Sequence, residues 1–201
     1  MANVDYRAAE APLTDLKIVE LPAQDLLVVN AGNIDRNNDT IRKSIEDNQE
    51  WIKRAMDANS LEAAGPVRIV TTDFGAEKYA FDVVQPVRKR SGAAPAAEGD
   101  KKEGEADKAA AAAPVAAADG ALNVKIPSGN PVTYVHAAPH RSAFASYTGH
   151  MAGLDVARNA LRAWATTNGY EVADRPYESW KGGVAKGFTT DGSYDVYWAI
   201  K

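Results

Sequence analysis

One phrase occurs twice in this chain. Phe81-Asp82-Val83-Val84 leads into Pro86-Val87, and Tyr194-Asp195-Val196-Tyr197 leads into Ala199-Ile200. Trp51 precedes the first by the same interval that separates Trp164 from the second. A phrase kept at a fixed distance from a second landmark implies two copies of one unit, too few for a solenoid. Two copies pack most simply about a pseudo-twofold axis, and the cleft between two similar halves is a natural place to hold a small molecule.

Each copy reads as β-α-β-β. In the first, the apolar stretches Leu16–Leu21 and Leu26–Val29 are strands broken at Pro22. Ile41, Ile45, Ile52 and Met56 then fall on one face of a helix from about Asp39 to Ala58, with Asn38 or Asp39 as its N-cap. Val67–Thr71 and Tyr79–Val84 follow as strands joined by a turn at Asp73-Phe74-Gly75. In the second copy, Val132–His136 and Ser142–Tyr147 are strand candidates. Leu154, Ala157, Leu161 and Trp164 make the stripe of a helix closed by Asn168-Gly169. Pro176–Trp180 and Ser193–Ile200 are strands around a glycine-rich turn.

Between the copies, Ser91 to Ala121 is nearly half alanine and has almost no large apolar side chain, so it cannot offset its own chain entropy and is expected to be a disordered tether. The expected organisation is an N-terminal extension over 1–13 and one domain over 14–201. That domain comprises repeat one (14–90), the linker (91–121) and repeat two (122–201).

The 201 residues are 45% hydrophobic, enough for a core. With 23 basic against 27 acidic residues the net charge is −4, which disfavours direct nucleic acid binding. There is no cysteine, which excludes disulfides, thiolate metal sites and cysteine nucleophiles. No signal peptide and no membrane segment is legible, so a cytoplasmic location is expected, with an upstream domain or regulatory partner left open.

Alternation on the last strand sets its faces. Tyr194, Val196, Trp198 and Ile200 form the heavier apolar row and should meet the helices, which turns Asp195 and Tyr197 the other way. The same parity turns Phe81 and Val83 inward and Asp82 outward. The expected fold is therefore α+β: tandem β-α-β-β repeats with pseudo-twofold symmetry share one antiparallel sheet, with two helices on one face and a ligand cleft on the other.

Arg175-Pro176-Tyr177-Glu178-Ser179-Trp180, the helix end from Leu161 to Tyr170, and Tyr194-Asp195-Val196-Tyr197-Trp198-Ala199-Ile200 together resemble the GyrI-like small-molecule-binding domain, the effector-binding domain of multidrug-responsive AraC/MerR-type regulators. Gly65-Pro66 and Phe81 to Val87 fit the same pattern. The resemblance covers roughly 14–201 apart from the tether. It implies a cleft for bulky, amphipathic, often cationic molecules, held for sequestration or effector sensing, with a glutamate beside aromatic rings as counter-charge. Carried over, Glu178 stands at that glutamate and Asp195 at the closing-strand acid, where the family more often has Glu. The tether is longer than usual, and no helix-turn-helix precedes the domain in this sequence.

Candidate ligand contacts are thus Glu178, Trp180, Asp195, Tyr197 and Tyr147. For Glu178 the other reading is an internal salt bridge to Arg68, which follows Pro66 as Glu178 follows Pro176. For Asp82 and Asp195 it is strand-edge or turn hydrogen bonding, and Trp51 and Trp164 read as packing. No acidic residue sits among His136, His140 and His150, so neither metal nor cofactor is expected. The Lys181–Gly187 stretch reads as a turn, not a phosphate loop. Two alternatives remain. One is a hydrolase of reactive small molecules using Glu178 with Tyr147 or Tyr197 as base and proton donor. The other is a protein antagonist of the gyrase-inhibitor kind.

Overall fold

A computed structural model describes residues 13–91 and 120–201. The N-terminal extension and the alanine-rich tether lie, apart from their end residues, outside the described residues. The elements run β1 (Thr14–Leu21), β2 (Gln24–Asp35), α1 (Asn38–Ala58), β3 (Leu61–Ala63), β4 (Arg68–Phe74), β5 (Lys78–Lys89), β6 (Thr133–Ala137) and β7 (His140–Thr148). A 3-10 turn (Met151–Gly153), α2 (Leu154–Thr167), β8 (Val172–Trp180), α3 (Gly183–Gly187) and β9 (Ser193–Ile200) complete the chain.

The helices start and stop for local reasons. Asn37 caps α1, its side chain accepting the Thr40 N–H at 2.9 Å, so the helix begins one residue earlier than its stripe suggested. Ile41, Ile45, Ile52 and Ala55 are buried, and Met56 is only half-buried. α2 ends at Asn168 with Gly169 at φ +81°, a conformation that favours glycine. The stretch expected as a glycine-rich turn contains α3, which lies so close to Trp180 that a Cβ on Gly187 would clash with its ring.

All strand pairings are antiparallel, and the sheet order is β1-β7-β9-β8-β4-β5-β2-β6, with β3 on β5. Read inward from either edge, the order repeats itself: a flanking strand, a half's opening strand, its closing strand, then the strand at the join. The flanking strands are exchanged. β1 precedes the first half in sequence but pairs with β7 of the second, and β6 precedes β7 but pairs with β2 of the first.

The join is the β4–β8 ladder, with Arg68 opposite Ser179, Ile69 opposite Glu178 and Val70 opposite Tyr177. The flanking rows match when Val83 corresponds to Val196, which makes Ile69 the counterpart of Glu178. Counting from the prolines had equated Arg68 with Glu178. The ladder corrects this, because pairing and not distance from a proline fixes equivalence about the axis.

One side of the sheet carries the core. Leu27, Phe81, Val83, Ala145, Tyr194 and Val196 are fully buried beneath the helices. Burying each of the Leu, Phe and Val side chains among them stabilises the fold by about 1.5–3 kcal/mol. The parity expected for β9 therefore holds: Tyr194 and Val196 face the helices, and Asp195 and Tyr197 lie on the open face. The chain arriving from Gly120 is fastened to the first half. Asn59 binds the main chain of Lys125 through both ends of its amide, at 2.7 and 2.9 Å. Buried Asp25 receives Tyr134 at 2.5 Å and His136 at 2.8 Å, tying β6 to β2.

Candidate functional site

The five candidate residues divide between the two faces. Asp195 and Tyr197 line a cavity of about 370 Å³ on the open face, together with Lys17, Arg68, Phe144 and Lys181. Tyr197 is stacked on Tyr177 at 4.7 Å and meets Phe144 edge-on at 5.2 Å. Asp195 accepts from Ser146 at 3.0 Å and pairs with Lys181 at 2.8 Å. Its counterpart Asp82 accepts from Asn30 at 2.6 Å. Both closing-strand acids thus hydrogen-bond to the residue opposite on a paired strand, within the sheet and not at a strand edge or turn.

Glu178, Trp180 and Tyr147 lie on the opposite face. Glu178 pairs in register with Val196 and Trp180 with Tyr194, so strand alternation carries both under the helices. Tyr147 stacks on Tyr194 at 5.7 Å and donates to the His150 carbonyl at 3.2 Å. Trp180 meets Tyr194 edge-on at 5.3 Å.

Glu178 is only 1% exposed, and neither carboxylate oxygen has a hydrogen-bond partner among the described residues. Its partner is Arg158 of α2, whose Nη1 lies 3.3 Å from Oε1. Arg68, the partner weighed from the sequence, is on the other face. Arg158 also donates to Thr71 Oγ1, which in turn lies 3.1 Å from the Tyr79 hydroxyl, and its Nε donates to the Leu154 carbonyl at 3.1 Å. Burial pushes the Glu178 carboxyl above the ordinary carboxylate range, against the opposing pull of Arg158. Burial likewise raises the Tyr79 phenol.

Arg158, the partner of Glu178, also lines a cavity of about 360 Å³ between the N-terminal ends of α1 and α2. Asn38 and Ile41 line it from α1, Asp155 and Arg158 from α2, and Phe74 and Tyr79 from the β4–β5 hairpin. Phe74 is 38% exposed, with the Arg36 guanidinium 3.9 Å and that of Arg158 5.4 Å from its ring centre. Arg36 also approaches Asp155 at 3.9 Å. The result is a cleft with a half-exposed aromatic ring in its wall and, lining it, the arginine that pairs with the buried carboxylate.

Arg158, Tyr79 and Phe74 were not picked out from the sequence. A signal existed for Arg158: it sits on the buried stripe of Leu154, Ala157, Leu161 and Ala165, where a charge requires a buried partner. The histidines are dispersed. His136 binds Asp25, His150 accepts the Ala152 N–H at 3.0 Å, and His140 lies near the Ala138 carbonyl.

No family model and no curated protein matches this sequence. Among solved structures, the EcmrR C-terminal domain matches with a TM-score of 0.61 at 13% identity, over 93% of this chain and 97% of that one. The EcmrR chain of an EcmrR–DNA complex matches over all of this chain, with the same score and identity, and this chain spans 62% of its length. A hydrolase from Listeria innocua matches with a TM-score of 0.54 at 10% identity, over 98% and 97% of the two chains. At such identities the likeness is one of fold, and that fold is the GyrI-like one that the sequence motifs resemble.

Proposed function

We propose that this protein binds an amphipathic aromatic small molecule in the cleft between α1 and α2, with Glu178 as the counter-charge for a cationic group, for sequestration or for signalling to a partner. The observation that carries this reading is the Glu178 carboxylate, buried with neither oxygen hydrogen-bonded among the described residues and paired with the arginine that lines the cavity. Such a group costs several kcal/mol unless a cation sits against it. Arg158 supplies that cation in the unliganded chain. An aromatic cation entering past Phe74 would take the guanidinium's place, its rings against Phe74 and Tyr79.

Binding of tetraphenylphosphonium, neutral triphenylphosphine oxide and anionic tetraphenylborate, followed by calorimetry, tests this. The cation should bind best. Glu178→Gln should weaken it roughly 10- to 100-fold, the scale of one lost charge-assisted contact. Arg158→Met, which frees the carboxylate, should tighten it. Equal affinity of wild type and Glu178→Gln for the cation would sink the reading.

The raised Glu178 carboxyl also favours a second reading, proton transfer in hydrolysis of a reactive ligand. Tyr79 is then the tyrosine beside it, since Tyr197 is on the other face and Tyr147 packs on Tyr194. A bound ester or epoxide probe that decays with wild type and persists with Glu178→Gln would support it.

A further inference from the structure

The open face presents the reverse electrostatic situation. Arg68 is 7% exposed and its guanidinium lies over the Tyr177 ring at 5.2 Å. Its Nε is buried without a hydrogen-bond partner, and among the described residues no carboxylate stands within ion-pair distance. A buried guanidinium without an anion is a large unmet cost, because even a neutral buried donor left unpaired is expensive.

The surroundings do not offset that charge. Lys17 and Lys181 line the same cavity of about 370 Å³, against Glu20 and Asp195. Asp195 is already held by Lys181 and Ser146, and Lys17 sits over the Phe144 ring at 5.0 Å. One positive charge therefore remains uncompensated in a pocket walled by Phe144 and Tyr197. A guanidinium presents paired N–H donors in a fixed fork, the geometry that suits a carboxylate. The neighbouring Ser179 hydroxyl supplies a further donor. A cavity of this size holds one or two fused rings.

We propose that the open face of the sheet is a second binding site, distinct from the α1–α2 cleft, that takes an aromatic monocarboxylate with Arg68 as its counter-charge and Phe144 and Tyr197 as its walls. Ser179 completes the hydrogen bonding of the anion. The two faces then select opposite charges.

Titration with 2-naphthoate and its neutral analogue 2-naphthylmethanol tests the site. Naphthoate should bind the wild type roughly tenfold or more tightly than the alcohol, and Arg68→Gln should remove that advantage. Glu178→Gln should leave naphthoate binding unchanged, which separates this site from the cleft whatever tetraphenylphosphonium does. Should Arg68→Gln fail to fold, amide shifts in the wild type decide. Shifts on adding naphthoate should centre on Arg68, Ser179 and Tyr197. Equal affinity for acid and alcohol, undiminished naphthoate binding by folded Arg68→Gln, or shifts confined to α1 and α2 would each overturn the proposal.

Discussion

Glu178 and Arg158 form a pair in which desolvation outweighs attraction at the carboxylate, and this has a pH signature. A carboxyl whose value is raised in the fold binds its proton more tightly there than in the unfolded chain. Its contribution to stability is therefore present at low pH and is lost as pH rises through the raised value. Wild type and Glu178→Gln should unfold alike in acid, with the Gln variant becoming the more stable as pH rises out of the ordinary carboxylate range. Arg158→Met should cost about 3–5 kcal/mol at neutral pH, because it strands a buried carboxylate, and less in acid, where that carboxyl is protonated. Urea unfolding across the pH range checks both, and a cost for Arg158→Met independent of pH would show that the arginine acts only through packing and its bonds to Thr71 and Leu154. The sequence concealed this pair at one end and hinted at it at the other. Pro176-Tyr177-Glu178-Ser179-Trp180 places an aromatic on each face of β8, so alternation gives no contrast, and the irregularity between Val172 and Pro176 removes the phase that could be carried in from earlier residues.

At the scale of elements, β9 was legible because its two rows differ in weight. Tyr194, Val196, Trp198 and Ile200 stand against Asp195, Tyr197 and Ala199, and the helices cover the heavier row. Val196 is fully buried under α2, whereas Tyr197, though 5% exposed, borders a cavity into which a long side chain can extend its charged head. Val196→Lys should therefore abolish cooperative unfolding, and Tyr197→Lys should leave a folded protein, as circular dichroism and thermal melts would report. The reverse pattern would mean that the assigned faces are inverted. Less legible were the short elements. β3 has three residues, and α3 is built on Gly182-Gly183 and closed at Gly187, a composition that signals a turn. α3 persists as a helix because it can settle directly on the Trp180 ring, a tertiary contact that no local pattern announces.

On the scale of the whole molecule, the two halves and their shared sheet followed from the repeated phrase, but the exchange of flanking strands did not, since nothing in β1 or β6 states which neighbour it will choose. With β1 laid along β7 and β6 along β2, each half borrows its outermost strand from the sequence of the other, and the β4–β8 ladder closes the middle. Strand pairing among the described residues thus joins the halves directly. Such a molecule is, in effect, a heterodimer whose two subunits happen to be translated as one polypeptide. A protease site placed in the alanine-rich stretch should give, after cleavage, two pieces that run as one particle in size-exclusion chromatography, and the same pieces made separately should find each other on mixing. Pieces that part at micromolar concentration would refute this. If they reassemble, either face's binding could be switched on by bringing two inert fragments together.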